Sequence, residues 1–252
     1  MDAAAKKTLS KVPEITFVFW LIKIAATTLG ETGGDAVTMS MNLGYLIGTL
    51  IFAAIFLFAV AIQIRAKSFH PAIYWTTIVA TTTVGTTLAD FADRSLGIGY
   101  AGGSSLLLVL LLGSLFIWYK TEGTVSVRAI RTARAEMFYW LTIMFSQTLG
   151  TALGDWTADS AGFGYSGSTL IFGGLLAVIA ALYFFTRVSR TFLFWAAFIL
   201  TRPLGAVVGD WLDKPTTEGG LALSRYSASA ALLTFMIVCL VVSKNRAAAE
   251  AH

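Results

Sequence analysis

The stretch WLTIMFSQTLGTALGD, residues 140–155, contains the pattern that decides the fold. It begins with a tryptophan, carries a glycine ten residues later, and ends with an aspartate that directly follows a second glycine. The same register occurs at Trp20 (WLIKIAATTLGETGGD), Trp75 (WTTIVATTTVGTTLAD) and Trp195 (WAAFILTRPLGAVVGD), with Ala89 in place of one second glycine. Four matches without gaps indicate that one unit is repeated four times along the chain.

The second part of each repeat is an apolar run, which covers residues 43–64, 104–119, 168–185 and 227–242 in turn. With flanking residues, each run reaches the roughly 20 residues that a helix needs to cross a bilayer. Charged residues make up 13% of the 252-residue chain, against about 25% in soluble domains. We therefore predict an all-α polytopic membrane protein with eight transmembrane helices, arranged as four tandem two-helix repeats.

The predicted organisation has two membrane halves of two repeats each, residues 12–120 and 136–243. A basic linker, residues 121–135, joins the halves, and tails of residues 1–11 and 244–252 flank them. The lysines and apolar residues at the start of the chain imitate a secretory signal. Because that segment carries the first copy of the repeat, we expect it to be retained as a membrane span.

Basic residues are divided unequally between the two faces that eight spans would create. Thirteen lysines and arginines fall on the face that carries both tails, and three fall on the other face. The three are Arg94, Lys214 and Arg225. The positive-inside rule then predicts cytoplasmic termini. In the linker, Arg128, Arg131 and Arg134 are spaced by three, which suits a short helix on an anionic leaflet, although an ordinary basic connector would carry the same charges.

Four tandem two-helix units, each with its own tryptophan, resemble a family of bacterial membrane-anchored proteins whose repeat is classed as one of unknown function. The resemblance covers about residues 12–243 and rests on Trp20, Trp75, Trp140 and Trp195. It implies eight spans and a location in the bacterial inner membrane. It implies no substrate and no mechanism, so the function has to be inferred from the residues.

Polar residues are concentrated in the first helix of each repeat, whereas the second helix is apolar nearly all round. This contrast predicts four inner helices that are screened from lipid by four outer helices. Small residues one turn apart let helix backbones approach closely in lipid, which favours helix-packing roles for these positions and for the tryptophans. The predicted packing residues are Gly30, Gly34, Gly85, Ala89, Gly150, Gly154, Gly205, Gly209, Trp20, Trp75, Trp140 and Trp195.

Equivalent positions of the inner helices predict a polar layer in the middle of the membrane. Lys23 and Arg202 lie about 18 Å along their helices from the nearest basic residues of the tail face. A charge at that depth costs at least about 2.5–3.5 kcal/mol, so we expect a function or an ion pair, with Glu31 as the candidate partner. Threonines there can instead bond to their own helix. The predicted substrate or ion pathway is Lys23, Thr27, Thr28, Glu31, Thr82, Thr83, Gln147, Thr148 and Arg202.

Aspartates follow this layer, about 12 Å farther along the helices. Three of them have a second aspartate three or four residues later, which puts each pair on one face if the helix persists. Such carboxylates attract cations, coordinate a hard divalent metal or relay protons; a solvated rim is the equally weighted alternative. The predicted outer acidic rim is Asp35, Asp90, Asp93, Asp155, Asp159, Asp210 and Asp213.

These features favour a secondary transporter or permease for a small solute or cation, for example a divalent metal such as manganese. The alternative is a non-transport protein, such as a sensor or assembly partner, whose polar layer only fixes helix packing. An enzyme is not expected, because the spans show no pairing of a nucleophile with a base. No cofactor and no nucleic-acid partner are expected. Two histidines and one cysteine leave zinc, copper and nickel without their usual ligands.

Overall fold

A computed structural model describes residues 10–243 and 246–248 and shows eight long α-helices in this part of the chain. The first helices of the four repeats are α1 (Phe17–Asp35), α3 (Pro71–Asp90), α5 (Ala133–Asp155) and α7 (Arg190–Asp213). The second helices are α2 (Gly44–Arg65), α4 (Tyr100–Glu122), α6 (Gly164–Phe185) and α8 (Arg225–Val242). The predicted all-α fold of four two-helix repeats is confirmed.

Five of the eight helices are long and apolar enough to span a membrane, namely α2, α4, α6, α7 and α8. The helices α1, α3 and α5 have 19, 20 and 23 residues. Each of them carries buried threonines and acidic residues, which lower its mean hydropathy. The chain is therefore a multi-pass helical membrane protein, and its most polar helices are the ones shielded by the others.

The first helices of the repeats form an inner ring, in which α1, α3, α5 and α7 each pack against two neighbours and α7 returns to α1. The outer helices cover this ring with a shift of one repeat: α2 packs on α3, α4 on α5, α6 on α7, and α8 on α1. In the most apolar part of α7, 72% of the residues are buried, against 11–17% in the outer helices. Because an outer helix mainly covers the following repeat, the four repeats depend on one another for their burial.

Aromatic side chains close the tail-side end of the inner ring. The residue before each repeat tryptophan is also aromatic, and it packs on the tryptophan of the next repeat with ring centroids 5.4–6.2 Å apart, a normal distance for aromatic pairs. The four pairs are Phe19 with Trp75, Tyr74 with Trp140, Tyr139 with Trp195, and Phe194 with Trp20. These eight residues are called the aromatic ring below.

The turn between the two helices differs between the first three repeats and the fourth. In the first three, the inner helix continues as a π-helical turn, and a glycine with positive φ then starts the outer helix or directly precedes it. Gly44, Gly99 and Gly164 have φ of 75°, 78° and 63°, which glycine adopts without a Cβ clash. In the fourth repeat α7 stays α-helical to Asp213, and the connection contains a 3-10 turn at Thr216–Glu218. This difference brings Lys214 to the end of the inner ring.

Of the two alternatives for the linker, the structure favours the ordinary basic connector over the surface helix. The linker's ends belong to α4, which ends at Glu122, and to α5, which begins at Ala133. Between them lies a 3-10 turn at Val127–Ala129, and Val127 and Ile130 are buried in the hydrophobic core. The indole of Trp195 donates a hydrogen bond to the Val125 carbonyl at 2.9 Å, which anchors the linker to α7. The three linker arginines are exposed. The assignment of two separate halves stays a prediction.

The two chain ends pair with each other at the tail-side end. The backbone amide of Ala248 donates to the carbonyl of Val12 at 2.8 Å, and the backbone amide of Glu14 donates to the carbonyl of Arg246 at 2.9 Å. Lys11 adds an ion pair with the buried Glu136 of α5, at 2.6 Å. Residues 1–9, 244, 245 and 249–252 of the predicted tails lie outside the described residues.

Candidate functional site

The inner helices place polar residues in three layers along the axis of the ring. Residues four apart share a helix face, so equivalent positions of the four repeats meet at similar depths. The central polar layer is Thr27, Thr82, Gln147 and Arg202. The second layer is Glu31, Thr86, Thr151 and Ala206. The third, called the carboxylate ring, is Asp35, Asp90, Asp155 and Asp210. All twelve side chains are buried.

The central polar layer is packed against glycines of neighbouring inner helices. A Cβ atom added to any of these glycines would overlap a side chain of the layer. The four contacts are Gly30 with Thr82, Gly85 with Gln147, Gly150 with Arg202, and Gly205 with Thr27. Because the four layer residues have no exposed surface, the inner helices pack tightly at this depth.

The second small residue of three repeats packs against the second layer. An added Cβ would approach the neighbouring side chain to 3.2 Å at Gly34, 3.1 Å at Gly154 and 2.7 Å at Gly209. The contacted residues are Thr86, Ala206 and Glu31, in that order. The structure therefore places these small residues at contacts between inner helices, where their size sets how closely the backbones approach.

Arg202 extends from the central polar layer to the second layer, where its guanidinium meets one residue from each of the other repeats. It donates to the Glu31 carboxylate at 2.9 Å and to the hydroxyls of Thr86 and Thr151. A further bond reaches the Thr27 carbonyl at 3.3 Å. A buried charge is stable only with such a set of partners. Of the two partners that the sequence offered for Glu31, the structure selects Arg202.

Lys23 is a second fully buried basic residue in α1. Its Nζ atom has no hydrogen-bond partner among the described residues. It lies 4.2 Å from the centre of the Phe198 ring, within reach of a cation–π contact. Lys23 is therefore left without a neutralising carboxylate in the part of the chain that the structure describes.

Several polar atoms near this depth also have no partner within the described ranges. One such group comes from each inner helix: Lys23 Nζ, Thr82 Oγ1, the Gln147 amide and Arg202 Nε. An unsatisfied buried polar group costs about 1–3 kcal/mol, and native proteins usually satisfy such groups with water or a ligand. These atoms mark the depth at which a bound water or a polar solute would be stabilised most.

Lys214 and Arg225 neutralise one side of the carboxylate ring. Lys214 lies 2.9 Å from Asp35 and 3.1 Å from Asp210, and Arg225 lies 2.9 Å from Asp213. Burial by itself lowers the pKa of Lys214, but the carboxylates of Asp210 and Asp35 raise it well above its ordinary value. Lys214 is therefore held protonated between the first and fourth repeats.

Arg94 neutralises the other side of the carboxylate ring. It lies 2.8 Å from Asp90 and 3.7 Å from Asp155. Burial by itself lowers the pKa of Arg94, and the carboxylates of Asp90 and Asp155 raise it. The four aspartates of the ring are only 1–4% exposed. The solvated-rim alternative is therefore wrong for these four, because ion pairs and burial replace water around them.

Asp93 and Asp159 do not join the carboxylate ring that their spacing predicted. Asp159 is exposed, and Asp93 is half-buried beside Gly103. Both follow the point where the inner helix becomes π-helical, and the wider turn removes them from the face of the preceding aspartate. Burial raises the pKa of Asp93. Asp213, in the helix that stays regular, does lie close to the ring.

Four of the five predicted pathway threonines bond to their own helices. Thr27 donates to the carbonyls of Ile24 and Lys23 at 2.8 and 3.2 Å, and it also reaches the Thr201 carbonyl of α7 at 3.2 Å. The hydroxyls of Thr28, Thr83 and Thr148 each donate to the carbonyl four residues earlier, at 2.8–3.1 Å. This is the arrangement that requires no further role. The structure thus brings Thr27, Thr82, Gln147, Arg202 and Glu31 together near the axis and gives four of the five pathway threonines local partners.

Two groups of carboxylates have the spacing of a cation site. Oxygens of Glu31, Asp35 and Asp90 lie within 4.8 Å of one another, and so do those of Asp35, Asp210 and Asp213. Oxygen ligands of this kind suit Mg²⁺, Ca²⁺ and Mn²⁺. The basic residues already paired with these acids would compete with such a cation, so binding would require their displacement.

Sequence reasoning missed two direct partners of Arg202, Thr86 and Thr151. Both occupy the repeat position of Glu31, and that equivalence was the available signal. In the sequence, Arg94, Lys214 and Arg225 served only to predict the orientation in the membrane. In the structure these residues neutralise the acids of their own face. The pairs of Arg94 with Asp90 and of Lys214 with Asp210 are four residues apart, a spacing that was visible in the sequence. The contacts of Arg94 with Asp155 and of Lys214 with Asp35 depend on ring closure, which spacing along the chain does not reveal.

The four repeats also match a known family by sequence. The family described as "Repeat of Unknown Function (DUF347)" matches residues 18–69, 73–124, 138–189 and 193–245. These segments correspond to the four two-helix units of the fold and cover most of the chain. No curated protein and no solved structure matches the chain. The chain therefore belongs to the DUF347 family, as a protein built of four tandem copies of its repeat.

Proposed function

We propose that the protein is a secondary transporter or permease that moves a small solute or cation along the axis of the inner ring. The supporting observation is the set of ionisable groups that the repeats bring to that axis. Lys23, Glu31 and Arg202 are 0–3% exposed, and a charge at such depth costs at least about 2.5–3.5 kcal/mol. A ring that only had to pack would be at least as stable with apolar side chains there.

In this proposal, the arrangement of the inner ring is a closed state of the transporter. The aromatic ring blocks the axis on the tail side, and the Arg202 guanidinium fills its middle. A transporter must not open to both sides at once, so a closed state is a necessary part of its cycle.

The carboxylate ring favours a cation at the mouth. It contributes four carboxylates, with Asp213 beside them, against the three bases Arg94, Lys214 and Arg225. An excess of negative charge at this end attracts cations, and carboxylates suit hard ions such as Mn²⁺. Manganese is therefore the first substrate to test. Lys23 and Arg202 oppose a bare cation deeper in the bundle, so a solute that also carries a negative group is the second.

The proposed location is the bacterial inner membrane, with both termini in the cytoplasm. The basis is the excess of lysine and arginine on the tail side. In this orientation the carboxylate ring faces outward and the aromatic ring faces the cytoplasm. No catalytic activity is proposed, because the charged groups on the axis are not arranged as a nucleophile with its base.

Flux into liposomes tests the proposal directly. The full chain is reconstituted with a trapped metal-sensitive dye, and Mn²⁺ uptake is followed under a pH gradient and under a membrane potential. We expect saturable uptake that falls at least tenfold in Asp90→Asn/Asp155→Asn and stays near wild type in Asp159→Asn, which removes an exposed acid. Folded protein that moves neither Mn²⁺ nor a panel of zwitterionic solutes under any gradient would contradict the proposal.

The tight glycine contacts favour a second candidate, a non-transport membrane protein whose polar layer only fixes helix packing. It predicts that Arg202→Leu/Glu31→Leu leaves a normally folded protein with unchanged behaviour. The transport proposal predicts a folded double variant without flux. Wild-type flux together with its loss in this variant would decide for transport.

A further inference from the structure

A groove opens on the lipid-facing side of the molecule, away from the axis of the inner ring. It lies between α1, α6 and α7, and its volume is about 570 Å³, within the range of about 300–1,000 Å³ for small-molecule sites. Most of its lining is apolar, with Trp20, Ile24, Leu176 and Ala197 among the residues. We call it the lateral groove.

The lateral groove follows the helices from one membrane interface toward the bilayer centre. Its α6 wall includes Leu176, Ile179 and Tyr183, which are three and four residues apart and so share one helix face. Along α7 the lining extends from Arg190 to Thr201, about 16 Å of helix. An elongated apolar cavity in this direction has the form of a lipid acyl chain.

The mouth of the groove is basic. Arg128 of the linker and Arg190 at the start of α7 line it, and both are exposed. Arg190 lies 4.3 Å from the centre of the Tyr183 ring and donates to the Tyr183 carbonyl, which fixes it beside the opening. None of the described residues that line the groove is acidic.

We propose that the lateral groove binds an anionic phospholipid. One acyl chain lies along α6 and α7, and the phosphate binds between Arg128 and Arg190. Arginine is well suited to phosphate because its guanidinium presents two parallel donors. Basic pockets between membrane helices at the interface bind anionic headgroups in this way. Two residues of the groove, Trp20 and Phe194, also belong to the aromatic ring, but the proposal stands whether or not the protein transports a solute.

Native mass spectrometry of the full chain tests the proposal. The probes are phosphatidylglycerol and phosphatidylcholine of matched acyl chains, titrated into delipidated protein in detergent. We expect wild type to prefer phosphatidylglycerol, with a loss of about fivefold in its affinity for each arginine replaced. Arg128→Gln is tested alone and with Arg190→Gln, because Arg190 also contacts the end of α6. The control is Arg65→Gln/Lys67→Gln, which removes two exposed charges outside the groove.

A second variant tests the apolar part of the site. Ala180 lines the groove and is exposed, so Ala180→Trp fills the space without disturbing the inner ring. We expect Ala180→Trp to reduce retention of both lipids, and the control to leave both unchanged. Equal affinity for the two lipids in wild type would overturn the proposal, because it indicates ordinary annular lipid. Unchanged phosphatidylglycerol binding in folded Arg128→Gln/Arg190→Gln would also overturn it.

Discussion

The two ends of the inner ring are built from the same repeat and are stabilised in different ways. At the tail-side end, the aromatic ring closes with residues of the repeats themselves, each stacking on the next. At the opposite end, the repeats bring four buried aspartates together, and their negative charges repel one another. Bases that occur once each, Arg94, Lys214 and Arg225, are needed to neutralise them.

This comparison separates repeated residues from unique ones. The repeated glycines, tryptophans and aspartates build a fourfold scaffold. Four residues have no counterpart of the same type in the other repeats, namely Lys23, Gln147, Arg202 and Glu31. They lie in or beside the layers between the two ends. A charged side chain near the axis is satisfied by different groups from the other helices, so identical residues in four copies could not satisfy it. The unique residues are therefore the ones that give the axis its chemistry.

The largest loss of stability is expected from breaking the ion pair of Arg202 with Glu31, which lies between the two ends of the inner ring. Glu31→Leu leaves the Arg202 charge buried without its carboxylate, and we expect a loss of about 3–5 kcal/mol in the free energy of unfolding. Arg202→Leu/Glu31→Leu should recover most of that loss. Denaturant unfolding in detergent, followed by tryptophan fluorescence, measures both. The control is Glu218→Gln at an exposed position. A Glu31→Leu protein as stable as wild type would contradict the pairing.

A smaller loss of stability is expected from adding a methyl group to a glycine contact beside the central polar layer. Gly205→Ala places a methyl group against Thr27, and overpacking of this kind costs about 1–3 kcal/mol. Gly173→Ala is the matched control, since an added Cβ there meets nothing within 4 Å. We expect the control to be neutral or slightly stabilising. Equal effects of the two substitutions would show that the inner helices are not in close contact here.

Alkaline pH should weaken the end of the inner ring that Lys214 stabilises. The pKa of Lys214 is raised in the folded protein, so its contribution to stability is complete below about pH 10.4, the pKa of an unfolded lysine. Above that pH the unfolded chain loses the proton first, and the contribution falls by about 1.4 kcal/mol per pH unit. Lys214→Arg should lack this loss. Unfolding curves of both proteins between pH 9 and 11.5 give the difference, and parallel curves would contradict the prediction.

The smallest effect is expected at the aromatic ring. Tyr74→Phe removes a hydrogen bond of 2.6 Å to the hydroxyl of Tyr139, at a cost of about 1 kcal/mol, because one buried hydroxyl loses its partner. Tyr74→Phe/Tyr139→Phe should return toward wild type, since no polar group is then left unsatisfied. Thermal unfolding of the three variants and wild type completes the cycle. A double variant less stable than either single one would argue against this account.

Much of the architecture could be predicted from particular residues. The register from Trp20 to Asp35, repeated at Trp75, Trp140 and Trp195, predicted four units, and the polar content of their first helices predicted which helices lie inside. For the linker, the sequence left a surface helix and an ordinary basic connector open, because arginine spacing carries no information on the burial of its apolar residues. Asp159 was misplaced because a change from an α- to a π-helical turn is not visible in the residue spacing.

The sequence by itself determined the number of repeats, the inner or outer place of each helix, and the order of the central polar layer and the carboxylate ring along the inner helices. These properties follow from hydropathy and from the rise of a helix, which are local to the chain. Only the tertiary structure decided that each outer helix covers the next repeat and that Glu31, Thr86 and Thr151 share Arg202. Those contacts join residues far apart in the chain, and they exist only when four helices close around one axis.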